Sequence, residues 1–188
     1  MAFYDESKLE VLIDQDRLQE RIRALGAQIT ADYQDGKSLV LVGVLKGSFL
    51  FLADLCRHID LPIEVDFLGL SSYGDAEETS GVVRVTQDLS RPIADKHVLV
   101  VEDIVDTGLT MKYLLENLST RQPASVKIAS LLTKPARAQV HIPIDYLGFE
   151  IPDRFVVGYG LDYRSKLRNL PFIGVNLAGA DLFADLED

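Results

Sequence analysis

The chain is poor in cysteine, in positive charge and in long apolar runs, and each shortage closes off a class of function. Its one cysteine in 188 residues, Cys56, leaves no intrachain disulfide and no cysteine cluster for a metal. Within "FLFLADLCRHI" that thiol reads as a small buried hydrophobe. Nineteen Lys and Arg stand against 29 Asp and Glu, for a formal net charge of -10. Nucleic acid and anionic membrane surfaces are therefore unpromising partners, because both are bound through basic surface. The longest apolar runs, such as "LVLVGVL", fall far short of the roughly 20 residues that span a bilayer. The opening "MAFYDESKLE" has neither the basic segment nor the apolar stretch of a secretion leader, so a cytoplasmic location is expected. The histidines, His58, His97 and His141, fall in no metal-ligand spacing and are assigned to surface or turn positions.

What the chain does contain is ordinary globular material, 47% apolar and 26% charged, enough for one domain over residues 1–188 with a substantial core. "LEVLI" has strand character, and Leu18, Ile22, Leu25 and Ile29 then recur on one stripe of a helix that Asp14 can cap. "LVLVGVL" is a continuous apolar run suited to a strand covered on both faces. The helix after it can bury Phe49, Leu52 and Leu55, or alternatively Phe51, Leu55 and Ile59. "IEVDFLGL" alternates, with Ile63, Val65 and Phe67 on its apolar side, and "VVRVTQ" resumes strand character beyond the polar segment from Ser71 to Gly81. "KHVLVVED" and "SVKIASLL" are further buried strands around the helix "MKYLLENL", with short strands at "IDYLGFE", "FVVGYG" and "PFIGVN". Strands alternating with helices predict an α/β fold with a mainly parallel central sheet and a hairpin beside it.

The chemistry concentrates in "VEDIVDTGLT", where a buried strand ends in Glu102, Asp103 and Asp106 and a helix begins. Ligands of open α/β sheets bind beyond the carboxyl ends of strands. Backbone N–H groups at the helix start, with the hydroxyls of Thr107 and Thr110, can converge on an anion, and Gly108 permits close approach. The carboxylates suit sugar hydroxyls or a hydrated magnesium ion. Equally, Asp106 and Thr107 could cap the helix while Glu102 and Asp103 stay solvated.

This segment resembles the phosphoribosyl pyrophosphate loop of type I phosphoribosyltransferases. "VGVLKGSFLFLADL", "DFLGLSSYG", "TKPARA" and "GFEIPDRFVVGYGLDYRSKLRNLP", in that order, are similar to the hypoxanthine-guanine branch, over most of residues 8–175. The resemblance implies the type I fold, a parallel sheet flanked by helices with a small hood and a mobile flap hairpin. It implies magnesium-dependent transfer of phosphoribosyl from phosphoribosyl pyrophosphate to N9 of hypoxanthine or guanine, giving IMP or GMP, in a homodimer or homotetramer. Asp106, Thr107, Gly108, Leu109 and Thr110 would hold the ribose 5-phosphate, Glu102 and Asp103 the ribose hydroxyls, and Asp106 would act as general base on purine N7. Leu109 stands where many members carry a polar or basic residue, with little loss expected in a loop read through its backbone. Lys46, Gly47, Ser72, Tyr73 and Arg168 would face pyrophosphate, with the Leu45–Lys46 peptide in either isomer. Lys134 would donate to the purine 6-oxo group, Phe155 would stack on the base, and Val156 and Asp162 would line its edge. Magnesium would sit with Glu102, Asp103 and Asp162.

Two rival readings remain at this level: a transferase of the same fold for xanthine or another base, and a nucleotide-binding regulator that contacts nucleic acid. The acidic balance opposes the second. A dinucleotide site is disfavoured, since no G-x-G-x-x-G follows a strand. The tail "AGADLFADLED" departs from the short ending of the family and has acidic, helical character.

Overall fold

A computed structural model describes residues 4–72, 83–177 and 181–183. The chain opens with β1 (Leu9–Ile13) and α1 (Gln15–Asp32), where Asp14 accepts from the Arg17 backbone N–H at 2.9 Å as the expected cap. There follow β2 (Leu39–Leu45), α2 (Phe49–Cys56), β3 (Ile63–Ser72), β4 (Val83–Gln87) and β5 (His97–Val105). Then come α3 (Leu109–Ser119), β6 (Ser125–Thr133), β7 (Tyr146–Glu150), β8 (Val156–Val157) and β9 (Ile173–Asn176). Six strands form the main sheet in the order β4-β3-β2-β5-β6-β7. All neighbours are parallel except β4, which returns antiparallel to β3 as the expected hairpin. A smaller antiparallel sheet, β1-β9-β8, makes a hood from the two ends of the chain.

The apolar runs of β2 and β5 divide their residues between two cores, as period-two alternation in a strand requires. Leu39, Leu41, Leu99 and Val101 pack with α1 and α2; Val40, Val42, Val98 and Val100 pack with α3 on the opposite face. The predicted α1 stripe, Leu18, Ile22, Leu25 and Ile29, is fully buried. In α2 the second candidate stripe is the one used, joined by Leu52: Phe51 is 0% and Phe49 38% exposed. Cys56 is only partly buried, packing at the core edge with its thiol donating to the Ala53 carbonyl.

The chain leaves β2 toward β3 in one direction and β5 toward β6 in the other, with the connecting helices on opposite faces. Sequence order therefore reverses between β2 and β5, and the loops leaving their carboxyl ends diverge around a crevice, the usual ligand position in such sheets.

Three expectations need correction. Val65 is 46% exposed, because the helical cover packs on Ile63 and Phe67 and leaves the position between them open. His97 is neither a surface nor a turn residue: it opens β5, with ring nitrogens 2.6 Å from Ser125 Oγ and 2.8 Å from an Asp35 carboxylate oxygen. The described tail residues, 181–183, form a turn packed into the hood core rather than a helix. No described helix is long and apolar enough to cross a membrane.

The α2 stripe is tested by a pair of truncations. Phe51→Ala should cost about 3–5 kcal/mol through lost burial and the cavity left behind, whereas Phe49→Ala should cost under ~1 kcal/mol. Denaturant unfolding of the two variants measures the contrast.

Candidate active site

β5 continues to Val105, so Glu102 and Asp103 lie inside the strand rather than beyond it; the parallel ladder to β6, which pairs Glu102 with Ser130 and Val105 with Thr133, extends order past the apolar run. Their side chains, with Asp106, Thr107, Gly108 and Thr110, line a cavity of about 300 Å³ at the crevice mouth, closed by Val44, Leu45 and Leu70. Burial pushes the Glu102 carboxyl well above the usual carboxylate range, and the adjacent Asp103 carboxylate adds to the shift. Two such close acids are suited to share a proton, or to meet a hydroxyl pair or a cation.

Helix α3 starts at this cavity without a side-chain cap. Its N-cap residue is Gly108 at φ 83, where a Cβ would lie 2.5 Å from the Val140 carbonyl oxygen, so no other residue fits without displacement. Neither Asp106 nor Thr107 takes the capping role that the sequence left open; the nearest approach is Thr107 Oγ1, 3.5 Å from the Leu109 N–H. The Thr107 carbonyl instead accepts from the Gln139 and Val140 N–H groups at 3.0 and 3.1 Å, anchoring the loop from behind. A helix start without a side-chain cap, with the helix dipole behind it, is suited to an anion.

Across the crevice, the turn after β2 begins with a cis Leu45–Lys46 peptide and an exposed Lys46. Gly47 is buried directly against the Asp103 carboxylate: a Cβ at this position would overlap Asp103 Oδ2. The Gly47 carbonyl in turn packs on Gly160, again too close for a side chain. Gly160 is tied to Arg168, whose guanidinium donates to its carbonyl at 2.7 Å and pairs with Asp162 at 2.6 Å. Asp162 also accepts from the Ser165 N–H at 2.8 Å. Lys46, Gly47, Asp162 and Arg168 are thus brought to the Asp103 side of the crevice. The backbone of Ser72 ends β3 opposite Val83, while Tyr73, Gly74 and Gly81 of the expected flap lie outside the described residues.

On the other side, the Lys134 N–H and the Thr133 hydroxyl both donate to the Val105 carbonyl, at 3.2 and 3.1 Å, which fixes the end of β6 beside that of β5. The Lys134 side chain is buried, with Nζ 3.8 Å from Asp153. Two residues missed in the sequence reading join it. Arg137, in the 3₁₀ turn Pro135–Arg137, places Nε 2.7 Å from Asp106 Oδ1, and its NH1 is 3.6 Å from Asp153. The Asp106 contact is an ion pair by distance but not a directed hydrogen bond, leaving that buried oxygen without a hydrogen-bond donor. Position alone could have suggested Arg137, three residues past Lys134 in "TKPAR"; nothing in the sequence marked Asp153. Phe155 presents its ring to solvent, 53% exposed, and Val156 is buried in β8.

The site's acids, its uncapped helix and the lysine at the neighbouring strand end match the chemistry of a phosphorylated sugar meeting a polar heterocycle. Comparison with known proteins agrees. The family model for the phosphoribosyl transferase domain matches residues 12–164. The hypoxanthine phosphoribosyltransferase of Haemophilus influenzae is 51% identical over 168 residues, 88% of this chain and 94% of that protein. The hypoxanthine-guanine phosphoribosyltransferase of Bacillus subtilis is 47% identical over 88% of this chain and 92% of its own length. A crystal structure of a hypoxanthine phosphoribosyltransferase from Staphylococcus aureus superposes with a TM-score of 0.87 at 47% identity, covering 91% of this chain and 93% of that one. By its matched domain, its close relatives and its shared fold, the chain belongs to the phosphoribosyltransferase family.

Proposed function

We propose that the protein salvages purines by transferring phosphoribosyl from phosphoribosyl pyrophosphate to N9 of hypoxanthine or guanine, releasing pyrophosphate and IMP or GMP. The observation that carries this reading is the uncapped, glycine-led start of α3, which shares one cavity with Glu102, Asp103 and Asp106. A terminal phosphate fits the donors, and the sugar attached to it then lies beside the acids.

Departure of pyrophosphate leaves positive charge on the ribose C1, so the site must stabilise the leaving group and hold the base in line. Lys46, the Gly47 backbone and Arg168 serve the pyrophosphate, a guanidinium being suited to a multidentate anion. Because Arg168 is paired with Asp162, it is held in place before substrate arrives. Asp106 accepts the N7 proton as N9 attacks, a role suited to a carboxylate that the Arg137 guanidinium pairs at 2.7 Å without a directed hydrogen bond. Lys134 donates to the 6-oxo group; adenine offers an amino donor there and is rejected. Phe155 stacks on the base, the Val156 backbone and Asp162 read its edge, and Ser72 and Tyr73 close over the reacting carbon.

Magnesium fits as an ion carried by the substrate. Among the described residues no three His, Cys, Asp or Glu side chains form a metal cage. Magnesium does not require one: a pair of carboxylates with phosphate oxygens and water suffices, and Glu102 with Asp103 supplies that pair, Asp162 assisting near pyrophosphate. When bound, the ion would neutralise the departing pyrophosphate. A cytoplasmic homodimer or homotetramer follows from the same family resemblance.

With magnesium and phosphoribosyl pyrophosphate, the purified protein should convert hypoxanthine or guanine to the monophosphate and leave adenine unchanged, as chromatography of the products will show. Asp106→Asn should lower kcat by about 10²-fold or more while the KM for phosphoribosyl pyrophosphate stays nearly constant; undiminished turnover removes the general-base role. Lys134→Ala should reduce kcat/KM for the 6-oxopurine by roughly 10–100-fold, the loss of one charge-assisted hydrogen bond, and adenine turnover by the parent protein would contradict the role given to Lys134. Gly47→Ala should displace the Asp103 carboxylate and raise the KM for phosphoribosyl pyrophosphate at least ~10-fold, since a contact of about 1.4 kcal/mol is worth that factor. An unchanged KM would mean that this packing does not shape the site.

A further inference from the structure

Residues 181–183 dock onto the loop that carries Asp162 and Arg168. Leu182 is 0% and Phe183 8% exposed, in one cluster with Val157, Leu167 and Leu170. The Leu182 carbonyl accepts from the Asp5 N–H at 3.0 Å, and Asp181 pairs with Arg164 at 2.9 Å. Lys166 Nζ stands 4.6 Å from the centre of the Phe183 ring. The tyrosine of this loop, Tyr163, lies between two other rings. Phe183 is 5.8 Å away on one side at 31°, and Phe155 is 6.2 Å away on the other, edge to face at 77°. Three rings thus run from the C-terminal segment to the exposed ring at the crevice.

The loop needs such support. Arg164, Ser165 and Leu167 hold φ values of 50, 64 and 70°, a region that non-glycine residues keep only where their surroundings over-determine it. Within the loop, Asp162 accepts from Ser165, and Tyr163 and Lys166 exchange backbone hydrogen bonds at 3.0 and 3.1 Å. Backbone bonds from Tyr159 and Gly160 to Leu170 and Arg168 tie the loop to the hood, and residues 181–183 add apolar cover from the other end of the chain. Arg168, by contrast, is fixed by Gly160 and Asp162, and neither contact passes through Phe183.

We propose that Phe183 is a positioning residue: acting through Tyr163, it fixes the plane of the Phe155 ring and so sets the affinity for the purine base. The inference rests on the base-stacking role of Phe155 given above. An aromatic pair has a preferred geometry that an aliphatic side chain of similar volume does not impose, and a ring left to reorient must be ordered at the moment of binding. The consequence falls on the base and not on the sugar phosphate.

The test is steady-state kinetics of the full chain carrying Phe183→Leu, Phe183→Ala or Phe183→Tyr, with thermal unfolding of each. Phe183→Leu keeps the apolar volume and removes the ring, so it carries the test even if Phe183→Ala fails to fold. The KM for hypoxanthine should rise about five- to tenfold in Phe183→Leu, the factor expected for one aromatic contact, and return to the parent value in Phe183→Tyr. kcat and the KM for phosphoribosyl pyrophosphate should stay within about twofold, because Arg168 keeps its own anchors. An unchanged purine KM in a folded Phe183→Leu variant, with the parent protein active, overturns the inference alone. A parallel rise in both KM values also overturns it, marking general loosening of the hood. A parent protein inactive on both bases sinks the functional reading together with the inference.

Discussion

Everything at the crevice depends on two parallel strands, β2 and β5, lying side by side in the middle of the sheet and sending their helices to opposite faces. Only at such a reversal do neighbouring strand ends open a gap instead of being roofed by a helix. The loop after β2 supplies Lys46 and Gly47 to one wall. The end of β5 supplies the acids and the start of α3 to the other. Contact between the walls is made where Gly47 meets the Asp103 carboxylate, and Gly160 packs behind it, so three segments distant in sequence are held together by the absence of two side chains.

Electrostatics follow from the same arrangement. A chain of net charge -10 that binds a polyanion must gather its compensation locally. The groups able to supply it are the uncapped helix end, with Lys46 and Arg168 on the Asp103 side of the crevice, and Lys134 and Arg137 near Asp106. The acids are placed equally unevenly: desolvation and the neighbouring Asp103 push the Glu102 carboxyl up, while Asp106 lies against Arg137. Arg137 and Asp153 form a small charge cluster with Lys134, so the residues proposed to read the base and to take its proton are coupled before any ligand arrives.

Elements whose structure follows from local spacing were readable in advance. The α1 stripe and its Asp14 cap, the fully apolar β2 and the β3–β4 hairpin all belong to this class. Spacing could not choose between the two stripes of α2, because both have helical period; burial of Phe51 over Phe49 depends on where α1 and the sheet stand. Val65 fits an alternating strand and is nevertheless exposed, since alternation assigns a face but does not say whether a neighbour covers it. His97 read as a surface or turn residue, and the hydrogen bonds to Ser125 and Asp35 come from partners 28 and 62 residues away.

The candidate site divides along the same line. By itself the sequence determined which groups are available: three acids and a Thr-Gly step at the end of one strand, a lysine at the end of another, an arginine and an aromatic ring in the last third. A strand followed by a helix start is a local pattern, and so its chemistry could be named from residue types. Tertiary structure alone decided that α3 would go uncapped, that Arg137 would stand on Asp106, and that the tail would reach Phe155 through Tyr163. The reason is physical: all three depend on how segments are placed by strand order and packing, and none leaves a periodic trace along the chain.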